Sequence, residues 1–423
     1  MYLLLCLTVI GALISPGALF PEIAKYRPFL GVMVIALIAL PLSSYNKKIP
    51  EVLKSDQAFF ILGLLGCEVL GYFITERTYV TGTIGVLRSW LILFFIFLIP
   101  ASVVDSCSRA RKMLWLIILA ASCVFWEGYK ILEYFPELMD NGRLASYGMY
   151  GGANDFALIL VMVFPIVYKL FYIERFVVKK TFLILLILLI PYLLYFTVSR
   201  GGILGLATVI AASIFLDDKA ITSSKLFSKS LKIAPLLLIF FSIVLVKLAM
   251  RGDAQSFSAE DASAVHRIIA WKAGLHIMID RPWGVGYSHF IDFAQQYGAG
   301  RIQAHNTIVK VGAEAGFLGM FCYISLIYSN FKHLLALHKT VFLNQDRQAI
   351  LIVQALGISL IGFCLCTQFS VKEHEHLLYM NLALTCALTG IYGLPRRIFT
   401  ARDASVVVTM MFLFFVAVKM LPA

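Results

Sequence analysis

Thirteen apolar runs follow one another along this chain, each close to the ~20 residues that carry a helix across a lipid bilayer. They lie near 2–20, 28–44, 57–74, 81–104, 113–131, 155–173, 181–198, 201–217, 233–249, 306–330, 348–368, 377–393 and 404–420. Hydrophobic residues make up 60% of the 423 positions and charged residues only 14%, more apolar surface than a soluble domain could cover. The expected fold is an all-α polytopic membrane protein, a bundle of about 12–13 transmembrane helices forming one transmembrane domain over 1–423. No basic segment precedes the first run, and Gly17-Ala18-Leu19-Phe20-Pro21 makes a poor cleavage site, so this run is read as a retained helix.

The formal net charge of +12 would suit nucleic acid, but its distribution argues against that partner. Lys47, Lys48 and Lys54 share one connection, Arg109, Arg111 and Lys112 another, and Arg175, Lys179 and Lys180 a third. Lys219, Lys225, Lys229 and Lys232 follow, then Lys332, Lys339 and Arg347, then Arg396, Arg397 and Arg402. Every second connection is basic, while the alternate short ones carry few Lys or Arg. This pattern places the N-terminus in the cytoplasm and the long 250–305 loop outside. Seven of the eight cysteines lie inside apolar runs, as buried small hydrophobes rather than a disulfide framework.

Within the long loop, Ile268, Trp271, Leu275 and Met278 fall on one helical face, with Arg267 and Lys272 off its centre. Asp280-Arg281-Pro282 stops this helix and Gly284-Val285-Gly286 turns the chain. The stripe suits an amphipathic helix on the outer membrane interface, or equally one packed on the outer face of the bundle. Both arrangements put Arg267 near the head-group plane.

Three side chains outside stand out. Arg200 occupies a tight turn, Thr197-Val198-Ser199-Arg200-Gly201-Gly202, between two apolar runs. A lone arginine there would be a lipid anchor. The two glycines change the balance, because they expose backbone N–H groups and let a ligand approach. Arg267 offers a second guanidinium on the same side, and two such groups can neutralise a diphosphate. His305 sits at the external mouth of the 306–330 run, where an imidazole with pKa ~6.5 can take a proton from a hydroxyl.

Other polar groups are weighed against simpler roles. Asn306 can cap or orient the following helix. Lys310 and Glu314 stand at i and i+4, a spacing for mutual pairing. Glu373-His374-Glu375-His376 looks like a metal cluster, but adjacent residues diverge in regular structure, and a solvated loop is the expectation. Arg88, inside an apolar run, lines a lipid path or snorkels.

At this point the chain resembles the superfamily of bacterial O-antigen ligases and O-antigen polymerases. The resemblance rests on the SRGG turn, on R-x3-W followed by DRPWGVGYSHF, and on AHNTIVKVGAEAGFLG. A weaker match runs from Arg143 to Asn154 before DFALILVMVFP, and together these cover roughly 143–320. Ile308 and Val309 stand around the place where the family commonly has Leu.

The resemblance implies a GT-C-like glycosyltransferase architecture and a metal-independent, inverting transferase without cofactor. It would take a glycan from an undecaprenyl-diphosphate carrier and pass it to a lipid A-core or other glycan acceptor at the periplasmic face of the bacterial inner membrane. Carried over by motif, His305 is the catalytic residue and Arg200 and Arg267 bind the diphosphate. Asn306, Arg143, Asn154 and Glu314 complete the expected substrate-binding set. Ligase is the first reading and repeat-unit polymerase the second. A protein O-oligosaccharyltransferase and a non-enzymatic polyisoprenoid-lipid transporter follow.

Overall fold

The computed structural model of the protein describes residues 1–15, 17, 22, 25–26, 28–74, 80–139, 141–215 and 259–421. The run at 233–249, the lysines at 219–232 and the first residues of the 250–305 loop lie outside the described residues. Each of the other twelve runs contains a helix among its described residues. They form α1 (Tyr2–Ile14), α2 (Pro28–Leu42), α3 (Asp56–Ile74), α4 (Val80–Val103), α5 (Cys107–Tyr134) and α6 (Ala153–Ile173). After these come α7 (Val177–Phe196) and α8 (Arg200–Phe215). The long loop contributes α9 (Ala259–Asp280), and the chain ends with α10 (Thr307–Leu343), α11 (Arg347–Cys366), α12 (His376–Ile391) and α13 (Ala401–Lys419).

Among the described residues, seven helices are long and apolar enough to cross a bilayer, and an eighth is made if α2 and Asn46–Leu53, bent by 91°, count as one span. The expected number of 12–13 is larger because apolarity alone does not set length. α1 has 13 residues and α12 has 16, about 20 and 24 Å of rise. α1 stops where Ser15 turns left-handed at φ 48°. α12 is buried along nearly its whole length, so protein rather than lipid covers it.

Capping fixes several starts. Ser106 accepts from the Arg109 N–H at α5, Asp346 accepts from Ala349 at α11, and Thr400 and Asp403 form a reciprocal box at α13. α11 lies at the centre of the bundle, wholly buried, against α6. Val161 of α6 presses between Gly205 of α8 and Gly362 of α11, where a Cβ on either glycine would collide with it. Small residues thus bring three helices together as lipid-solvated bundles require.

The connections segregate to two ends. At the basic end Arg109 donates to Tyr45 Oη at 2.5 Å, Gln348 to the Cys107 carbonyl at 3.2 Å, and Tyr392 to Asp346 at 2.5 Å. At the opposite end the 141–152, 197–200, 281–306 and 367–375 segments meet. α9 packs on α10 there, with Gly274 against Val309 and Gly312 against Met278. The stripe of Ile268, Trp271, Leu275 and Met278 is buried, as are Ala270, Ala273 and Ile277. Of the two arrangements the sequence allows, packing on the bundle is the one found.

Candidate functional site

The turn carrying Arg200 is built from side chains of two loops. Thr197 Oγ1 donates to the Leu194 carbonyl at 2.7 Å and accepts from the Ser199 N–H at 3.2 Å, which tightens the end of α7. Val198 takes a left-handed φ of 48°. Arg143 donates from Nε to the Thr197 carbonyl at 3.0 Å and from Nη2 to Asn154 Oδ1 at 2.9 Å. The same oxygen accepts from Ser199 Oγ at 2.8 Å. Gly201 faces the Phe369 ring and Gly202 the Ala157 methyl so closely that a Cβ would collide. Arg200 is therefore carried, exposed, on a rigid rim.

Arg267 approaches this rim from α9, half-buried. Burial pushes its pKa down, and the charges of Arg143 and then Arg200 push it the same way. The charges of Arg143 and Arg200, from two other segments, thus bear on Arg267, an arrangement that an anion would relieve. The buried Nε of Arg267 has no hydrogen-bond partner among the described residues.

His305 lies beside Arg267, half-buried, with a left-handed φ of 47°. Burial lowers its pKa, and the Arg267 charge lowers it further. Both causes favour the neutral imidazole, the form able to accept a proton. Asn306 next to it is fully buried and caps α10, accepting from the Val309 N–H at 3.1 Å and donating to Gln368 at 3.2 Å. Thr307 N–H donates to the Thr367 carbonyl at 3.0 Å.

Beneath these groups lies an ionic junction. Lys310 pairs with Glu314 at 3.4 Å, as the i, i+4 spacing suggested, and also with Glu373, 63 positions away. Glu314 accepts from the Phe290 N–H at 3.1 Å, which fixes the YSHF segment. The expected solvated loop at 373–376 is corrected here. Glu373 and Glu375 are buried, and burial alone would raise the Glu373 pKa, but the Lys310 ammonium holds it down at about 2. Burial drives His374 down to about 4. Glu375 accepts from Tyr150 Oη at 3.2 Å, and His376 Nδ1 lies 2.7 Å from the Ala12 carbonyl. Glu373, Glu375 and His376 thus turn to three separate partners, while His374 lies 3.9 Å from Glu373. A wholly solvated run would have left Lys310 as a buried charge with one partner fewer.

The glycine motifs have a common mechanical cause. α10 breaks at Gly316 (φ 72°, ψ −174°), which frees carbonyls one turn earlier. The Val285 N–H donates to the Ala313 carbonyl at 3.0 Å, the Gly286 N–H to Glu314 at 2.9 Å, and the Phe317 N–H to Pro282 at 3.0 Å. Gly284, at φ 87°, meets Gly316 backbone to backbone. The DRPWGVG segment is thus hydrogen-bonded into the break of α10.

Four residues expected to bind substrate spend their polar atoms on protein groups. Arg143 and Asn154 build the Arg200 turn, Asn306 caps α10, and Glu314 ties Lys310 to Phe290. Arg88 is exposed on α4, a position for snorkelling. Sequence reading gave Ser199 and Lys372 no role and set Glu373 aside as part of a solvated loop. Lys372 pairs with Asp155 at 3.2 Å and donates to the Met149 carbonyl at 3.1 Å, joining two loops of the site. Ser199 was visible as part of SRGG and Glu373 as part of the Glu-His run, but nothing local marks Lys372 or shows that Glu373 would meet Lys310.

Fold and site together define a multi-pass, all-α membrane protein whose connections at one end gather three arginines and a histidine. Residues 181–324 match the family described as O-antigen ligase, which bears out the resemblance drawn from the motifs. The matched stretch includes Arg200, Arg267, His305, Asn306 and Glu314. A protein of Rickettsia conorii whose name proposes a polysaccharide ligase is 24% identical over 223 residues, 48% of this chain and 52% of that protein. The match thus spans about half the length of the curated relative.

Proposed function

We propose that the protein is a membrane glycosyltransferase of the O-antigen ligase type, in the bacterial inner membrane with its site facing the periplasm. It moves a glycan from undecaprenyl diphosphate to a lipid A-core acceptor. The observation that carries this reading is that Arg143 and Arg200 come close enough to act on Arg267, which in turn lies beside the half-buried His305. Arg200 and Arg267 hold the diphosphate, and Arg143, Asn154, Asn306 and Glu314 keep the surrounding loops in place. An acceptor hydroxyl gives its proton to His305 while its oxygen attacks the anomeric carbon. The bond from that carbon to the diphosphate oxygen breaks with its electron pair, and the configuration inverts. Diphosphate is a good leaving group once its charge is neutralised, so the arginines supply what a divalent ion otherwise would.

An apolar cleft enclosing about 60 Å³ adjoins the site, room for a short stretch of the donor's lipid chain. Ile308, Thr367 and Gln368 form its end nearest His305, and Ile324, Phe331 and Phe414 line its depth.

The test is to delete the gene and analyse the host's surface glycans. Intact carrier-linked polymer without attachment to lipid A-core supports the ligase. Single repeats capped onto the core would mean a repeat-unit polymerase, and unchanged glycans would remove both. The purified enzyme should keep its rate in strong chelator; loss of transfer there would contradict the metal-independent scheme.

A further inference from the structure

Trp271 lies one helical turn after Arg267 on α9 and is 3% exposed. Its indole N–H donates to the Ala304 carbonyl over 2.7 Å. Ala304 is buried and directly precedes His305. For a residue with a side chain, the left-handed backbone of His305 costs on the order of 1 kcal/mol and persists only where the surroundings impose it. The C-terminal flank of His305 is imposed by the start of α10 and the end of α11, through Asn306–Gln368 and Thr307–Thr367. On the N-terminal flank, Trp271 supplies a hydrogen bond from the same helix that carries Arg267.

We propose that Trp271 is a positioning residue for His305. Its indole N–H holds the Ala304–His305 peptide in the left-handed turn and so sets where the imidazole stands relative to Arg267. This rests on the reading of His305 as the base and of Arg267 as a diphosphate ligand. The ring of Trp271 also packs in the small core of the external loop, with Phe290 and Val309 among its members. Packing accounts for the burial of the ring. The 2.7 Å bond to a carbonyl beside a strained histidine is a second role, separable by experiment. Losing it would let residue 305 relax toward ordinary extended backbone and swing the imidazole away from the acceptor, with the arginines undisturbed.

The test uses the full-length enzyme with an undecaprenyl-diphosphate-linked glycan as donor. Trp271→Phe removes the N–H but keeps an aromatic ring. Replacing Trp271 by 3-benzothienylalanine, introduced by codon suppression, removes the N–H with the shape unchanged and serves where the phenylalanine variant does not fold. Misplacing a reacting group by about 1 Å can cost up to about 100-fold, so kcat should fall at least about tenfold. The donor KM should stay within about twofold, because the ground-state arginine contacts remain. An unchanged kcat, or a KM that rises in step with the loss, would overturn the positioning role and leave packing alone. His305→Ala is run in parallel. If it transfers at the normal rate, the reading of the base fails; if it is inactive while the benzothienyl variant is normal, only the role of Trp271 fails.

Discussion

At the scale of single residues, bringing the charges of Arg143 and Arg200 to bear on a half-buried Arg267 is costly, and its own burial followed by those two charges pushes its pKa down. Arg200→Lys keeps the charge but loses the planar fork, and should reduce transfer by about 10²–10³-fold if donors aimed at the leaving oxygens carry the rate. Rates measured with purified donor check this, and near-normal transfer would make Arg200 a lipid anchor. His305→Ala should cost about 10²–10⁴-fold with expression intact, the usual worth of a general base. The pH dependence follows from sign. A base works in its neutral form, and burial followed by the Arg267 charge lowers the His305 pKa. The acid limb of kcat/KM should therefore lie below the ordinary histidine value of about 6.5. Arg267→Met removes the second cause, so the limb of its residual activity should move to higher pH. An acid limb that stays in place would separate Arg267 from His305. These three residues were legible in the sequence because charge inside an apolar chain is conspicuous. The partner of Lys310 was not, since Glu373 is 63 positions away and only the fold brings them together.

At the scale of elements, α9 and α10 show what periodicity can and cannot tell. The stripe from Ile268 to Met278 announced a helix with one apolar face, and that face is buried. Lipid and protein interior are equally apolar, so the stripe could not say which would cover it. Val309 and Met278, seated on Gly274 and Gly312, decide for protein. The GVG and E-x-G motifs were read as turns and as family signature, but their meeting was beyond sequence reading. Gly284 and Gly316 both have positive φ, and a Cβ on either would strike the backbone of the other segment. Gly316→Ala should therefore cost at least about 1–3 kcal/mol in strain, with loss of the three hydrogen bonds that join DRPWGVG to α10. The readout is a lower melting temperature and faster proteolysis between 281 and 290 in detergent. An unchanged melting temperature would mean that the break in α10 tolerates a side chain and that the interlock is loose. Gly31, with open space around its Cβ position, is the control whose alanine variant should melt normally.

At the scale of the whole molecule, charge asymmetry speaks to sidedness more directly than apolarity speaks to the number of spans. A span must return the chain to the other face; α1 is too short to do so unless its neighbours compensate for length, and α10 is longer than a span needs. Hydropathy cannot see that compensation, whereas basic residues resist translocation wherever the helices end. The segregated contacts agree with the charges, since the loops bearing Arg109, Asp346 and Tyr392 meet at one end and those bearing Arg143, Glu373 and His376 at the other. Thiol labelling can test which end is outside. In a background with all eight native cysteines replaced, single cysteines at Asn141 and Ser288 probe the arginine end, and those at Ser44 and Asn344 probe the basic end; all four positions are exposed. A membrane-impermeant maleimide applied to intact cells with a permeable outer membrane should label the first pair and spare the second. Lysis should make the second pair reactive, which guards against mistaking a buried thiol for an internal one. The reverse pattern would put Arg200, Arg267 and His305 in the cytoplasm, away from any acceptor on the outer leaflet, and the proposed transfer to lipid A-core would fall with it.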